Sequence, residues 1–78
     1  MPTLLVVEGL RFSFFSGDGV EPPHVHVSKG GAAGKIWLGP VRVEYAYGFT
    51  RSELRRVREI CVEHEPTFLE RWHEYFGR

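Results

Sequence analysis

His24 and His26 stand two residues apart in the string Pro22-Pro-His-Val-His-Val27. In an extended segment successive side chains point to opposite faces. Both imidazoles then project from one face, and Val25 and Val27 commit the other to a core. Histidine titrates near neutrality, so two neighbouring imidazoles can serve in turn as acid and base, which suits phosphodiester cleavage by a small RNA nuclease or phosphoesterase. The same pair can supply two ligands to a transition metal. The plainer reading is that both rings pack and hydrogen-bond at the edge of a loop. A structural zinc site takes four ligands and a catalytic one usually three, and His64, His73, Glu74 and Cys61 qualify as further donors by residue type only. No metal and no cofactor is therefore expected, and His24 and His26 stand as the candidate catalytic residues.

The pair must be carried by a sheet. Thr3-Leu-Leu-Val-Val-Glu8 and Leu10-Arg-Phe-Ser-Phe-Phe15 are rich in β-branched and aromatic residues, with Glu8-Gly9 between them as a tight turn. Leu10, Phe12 and Phe14 fall on the core face. Ser16-Gly-Asp-Gly-Val-Glu-Pro-Pro23 holds two glycines and two prolines and reads as the longest loop. His24 to Ser28 alternates as a short strand. Lys29-Gly-Gly31 then turns the chain into Lys35-Ile-Trp-Leu38, and Gly39-Pro40 turns it into Val41-Arg-Val-Glu-Tyr45. Ile36, Leu38, Val41, Val43 and Tyr45 are expected on the core face.

Helical signals take over after residue 49. Thr50-Arg-Ser-Glu53 is a capping box, and Leu54, Val57, Cys61 and His64 follow at spacings of three and four. Pro66 lacks a backbone donor and suits the first turn of a helix, so the chain is expected to break near Glu65. Phe68, Leu69, Trp72, Tyr75 and Phe76 then form a second apolar face. The fold class is α+β: an antiparallel meander of four to five short strands, followed by two C-terminal helices packed on one face, all in a single domain spanning residues 1–78.

The reverse face of this sheet gathers Arg11, Phe15, His24, His26, Lys35, Trp37 and Arg42, a mixture of cations and rings on which a single-stranded nucleic acid such as RNA can stack. Burial of Phe15 and Trp37 against a helix or a partner subunit is the competing and commoner use of such rings. Arg51, Arg55 and Arg58 form a basic stripe along the first helix that can track phosphates; the plainer reading is a solvated face with Glu59 near Arg55. Cys61 reads as an inert core thiol.

Composition restricts the possibilities further. The chain has 78 residues, 42% of them hydrophobic, and a formal net charge of zero. Such a chain folds around one core and has no overall field to draw it to nucleic acid or an anionic membrane. One cysteine excludes an intramolecular disulfide, no basic segment precedes the apolar start, and no run reaches the roughly 20 apolar residues of a membrane span. A cytoplasmic protein with no membrane partner is expected. Two tryptophans, three tyrosines and six phenylalanines on a small two-faced sheet favour a homo-oligomer or a complex that covers one face.

Glu21-Pro-Pro-His-Val-His-Val27, the Met1-Pro-Thr-Leu start, Gly48-Phe49 before the capping box, and Phe68-Leu-Glu-Arg-Trp-His-Glu-Tyr-Phe76 together resemble the small bacterial domain-of-unknown-function family 4160. The likeness runs nearly end to end. Members look like free-standing single-domain proteins, often encoded beside a second small protein, which implies a toxin–antitoxin-like pair. His24-Val-His-Val27 also resembles part of the histidine-triad nucleotide-hydrolase signature, but Ser28 stands at the next alternate position and the chain is short for that fold. The leading expectation is a protein-interaction component of a two-gene module, bound to a small partner protein encoded nearby; the alternative is an RNA nuclease or phosphoesterase using His24 and His26.

Overall fold

A computed structural model describes residues 3–77. The chain runs through β1 (Thr3–Val7), β2 (Leu10–Ser13), a 3-10 turn (Ser16–Val20), β3 (His24–Lys29), β4 (Ala32–Trp37), β5 (Arg42–Tyr47) and α1 (Arg51–Phe76). The five strands pair in sequence order, each antiparallel to the next. The expected meander is present, and the start Met1-Pro2 lies outside the described residues.

Local chemistry explains the turns. Glu8 and Gly9 have φ of 54° and 79°, the pair of left-handed conformations that a two-residue hairpin loop requires to match strand twist. Glu8 tolerates this because its carboxylate is held by Arg56, whose Nη2 donates at 2.8 Å and Nε at 3.0 Å. After β5 the chain turns at Gly48, where φ is 82° and a Cβ would lie 2.8 Å from the Ala32 Cα, so glycine is needed there on both counts.

Phe12, Val27 and Gly34 share the face that packs on α1, as do Val25, Ile36 and Val43. Val57, Ile60, Cys61, Phe68 and Trp72 answer them from the helix. The Phe12 and Phe68 rings lie 5.7 Å apart, and Phe14 meets Trp72 edge-on at 5.1 Å. Trp72, Phe14, Phe12 and Phe68 are all essentially buried. Burial in this apolar setting, helped by the negative charge of Glu65, pushes the Cys61 thiol up to about 12, so it stays protonated and unreactive.

Two expectations need correcting. There are not two helices but one, from Arg51 to Phe76, and Pro66 lies inside it. Its N-terminus is the expected capping box: the Glu53 amide donates to Thr50 Oγ1 at 3.0 Å and the Thr50 amide to Glu53 Oε1 at 2.8 Å. The helix passes through Pro66 because that residue faces solvent while Val57, Cys61, Phe68 and Trp72 keep one phase on both sides of it. An interior proline costs about 3 kcal/mol, and burying two rings the size of Phe68 and Trp72 outweighs that. Pro66→Ala should therefore raise stability by about 2 kcal/mol, once the greater freedom of the unfolded chain is set against the restored hydrogen bond. A denaturant midpoint that is unchanged or lower would show that the core depends on the proline.

The second correction concerns Tyr45. Lys35 pairs with Tyr45 but Ile36 pairs with Val43, so Glu44 is an extra residue in β5. This β-bulge reverses the alternation at one step and sends Tyr45 to the reverse face, where it is 48% exposed, instead of into the core with Val43.

Candidate functional site

The site lies where the loop before β3 folds over the end of the sheet. Within the 3-10 turn the Asp18 amide donates to the Phe15 carbonyl, the Glu21 amide donates to the Asp18 carbonyl, both at 3.0 Å, and the Phe15 amide donates to Asp18 Oδ2 at 2.8 Å. Gly19 is buried against the Phe76 ring, and a Cβ there would come within 2.6 Å of Phe76 Cδ1. The turn is thus seated on the last turn of α1, which fixes the Asp18 carboxylate over β3.

His24 and His26 both meet that carboxylate. The Nε2 of His24 stands 3.2 Å from Asp18 Oδ1, and the Nε2 of His26 stands 3.2 Å from Oδ2 and 3.3 Å from Oδ1. The two imidazoles are 5.1 Å apart, nearly perpendicular. Their surroundings differ. His26 keeps some exposure, pairs across the sheet with Ser13 and Lys35, and has the Phe15 ring 4.1 Å away. Burial holds its pKa below the ordinary histidine value despite the opposing pull of Asp18.

His24 has no exposed surface, contrary to the expectation of two rings presented together on an open face. It sits between Trp37 and Trp72, at 5.3 Å and 5.2 Å between ring centres. Its Nδ1 lies 3.0 Å from the Pro22 carbonyl, which can only accept, so Nδ1 carries the hydrogen. The opposite nitrogen, Nε2, is then an acceptor, and it is buried with no hydrogen-bond partner because its neighbour at 3.2 Å, Asp18 Oδ1, is an acceptor too.

The remaining candidates fall into three places. Arg11, Phe15 and His26 line a hollow of about 290 Å³ on the reverse face of the sheet, together with Tyr45 and Tyr47, and Lys35 lies beside it in register with His26 and Tyr45. Trp37 and Arg42 line a different hollow with Pro22 and Pro40. Lys35 Nζ is bound to Glu21 at 2.8 Å and rests 4.6 Å above the Trp37 ring, while the Trp37 indole donates to Glu44 at 2.7 Å. Arg51, Arg55 and Arg58 are exposed on α1, and Arg55 and Arg58 border Val62 and Glu63, apart from the reverse-face hollow. Glu59 is 3.4 Å from Arg56, which holds it instead of Arg55.

Three residues of the site escape a reading by spacing. Asp18 sits in a glycine-flanked loop, and only the fold of that loop brings it to the histidines. Tyr45 is hidden by the bulge, and Tyr47 lies past the expected strand end. No helix among the described residues is long and apolar enough to cross a membrane. Comparison with curated proteins and with solved structures finds no match. The family comparison does find one: residues 9–73, which carry β2 to β5, the Asp18–His24–His26 cluster and most of α1, match the domain of unknown function DUF4160, and the chain belongs to that family.

Proposed function

We propose that the protein is a protein-interaction component, of the kind that serves in a two-gene toxin–antitoxin-like pair, and that it binds its partner through the open face of the sheet. One observation carries this reading. The helix covers a single face, and the other presents Phe15, Tyr45 and Tyr47 at 44%, 48% and 59% exposure around the hollow floored by Ser13 and Gly34. The two tyrosine rings stack at 6.4 Å, nearly parallel, which makes a flat aromatic surface on an edge strand. Tyrosines of this kind are enriched where proteins meet, since one ring offers both apolar area and a hydroxyl.

The charges favour a protein over RNA. Lys35 is neutralised by Glu21, Arg42 borders a different hollow, and the helix arginines lie apart, which leaves Arg11 as the one lysine or arginine among the described lining residues. A nuclease or phosphoesterase using the histidine pair as acid and base would need both rings at the substrate, and His24 has no exposed surface with which to touch one. Tyr45→Lys with Tyr47→Lys should abolish the complex with the product of the adjoining gene, read by light scattering as a return to the 9.0 kDa monomer, with the melting temperature nearly unchanged. A wild-type chain that stays monomeric at every concentration and ignores that partner overturns the proposal.

A further inference from the structure

We infer that Asp18, His24 and His26 form a binding site for a divalent transition metal ion of the zinc class. The three residues offer one carboxylate oxygen and two imidazole nitrogens, all within 4.8 Å of one another. Donors held about 2.0 to 2.2 Å from one ion stand roughly 3.0 to 3.6 Å apart, according to coordination number. From the single oxygen Oδ1, the His24 and His26 Nε2 atoms stand 3.2 Å and 3.3 Å away, inside that range.

The second observation is the buried Nε2 of His24. Its ring is oriented by the hydrogen bond from Nδ1 to the Pro22 carbonyl, the outer-sphere contact that fixes the tautomer of metal-bound histidines. In the neutral ring Nε2 therefore carries a lone pair, and that lone pair is buried beside a carboxylate oxygen with no hydrogen between them. Two acceptors 3.2 Å apart repel. A cation bound by both removes the repulsion and satisfies the atom. One carboxylate and two imidazoles are borderline donors that suit zinc, iron, cobalt or nickel better than calcium or magnesium.

Three protein donors leave a coordination position open. Glu21 Oε1 is 3.8 Å from His24 Nε2 but is engaged by Lys35, so it does not close the shell. His26 also lines the reverse-face hollow, so the open position borders the surface assigned above to a partner. A ligand atom arriving there, such as a carboxylate from the partner, can complete the ion. The metal site stands or falls independently of that assignment, because its test needs no partner.

The test uses untagged, chelator-treated full-length protein titrated with Zn²⁺ by calorimetry and with Co²⁺ by visible absorption. One equivalent of either ion should bind, with ligand-field bands from Co²⁺ and a rise in melting temperature that grows with ion concentration. His26→Ala and the near-isosteric Asp18→Asn should each weaken binding by about a hundredfold or more, with folding verified by circular dichroism. Folded wild-type protein that takes up neither ion at millimolar concentration overturns the inference, as does uptake that survives in both variants. Addition of the ion should also shift the ¹⁵N resonance of His24 Nε2 and leave Nδ1 protonated.

Discussion

Trp72→Ala should lower stability by about 3 to 5 kcal/mol, the range for emptying a large aromatic site. Trp72 is 2% exposed and holds three partners at once: Phe14 edge-on at 5.1 Å, Phe76 at 4.3 Å and His24 at 5.2 Å. These come from the residue just past β2, the end of the helix and the start of β3, so the indole joins the three parts of the molecule that surround the site. A chain of 78 residues has a total stability of roughly 4 to 12 kcal/mol, so the loss is a large fraction of the whole. The melting temperature should fall by roughly 15 to 30 °C. Trp72→Phe keeps the apolar contacts with Phe14 and should recover more than half. A loss below about 1 kcal/mol for the alanine variant would mean that the helix end is not seated on the sheet in solution.

The core of this fold was legible because its signals are local. Period-two alternation placed Leu10, Phe12, Val25, Val27 and Ile36 on one face, and the capping box at Thr50 located the helix start to the residue. The departures share a different cause. Pro66 read by itself is a breaker, yet the phase of Val57, Cys61, Phe68 and Trp72 runs unbroken across it, and that continuity is the signal that tertiary burial overrides local preference. Tyr45 changed faces because a single inserted residue, Glu44, shifts every position after it, and alternation cannot show where a bulge falls. The candidate site was half legible for the same reason. His24 and His26 occupy alternate positions of one strand and announce themselves; Asp18 reaches them only because Gly19 lets the turn close on Phe76.

The two histidines should separate sharply when each is replaced by alanine, although spacing alone makes them equivalent. His24→Ala should cost about 2 to 3 kcal/mol: it leaves a void between Trp37 and Trp72 and deprives the Pro22 carbonyl of its donor. The cost stays below that of a purely apolar ring of similar size because the substitution also removes the unpartnered Nε2, whose burial works against the fold. His26→Ala should cost about 1 kcal/mol or less, since its side chain is 15% exposed and it gives up only the Asp18 contact and the Phe15 ring. Urea melts of both variants, run in chelator so that no ion stabilises the wild type, measure the difference directly. His24→Phe refines the argument: if ring packing dominates, it should restore most of the loss while leaving the carbonyl of Pro22 unpaired. Equal costs for His24→Ala and His26→Ala would mean that His24 is not enclosed by the two tryptophans, and the buried nitrogen on which the metal site depends would then be open to water.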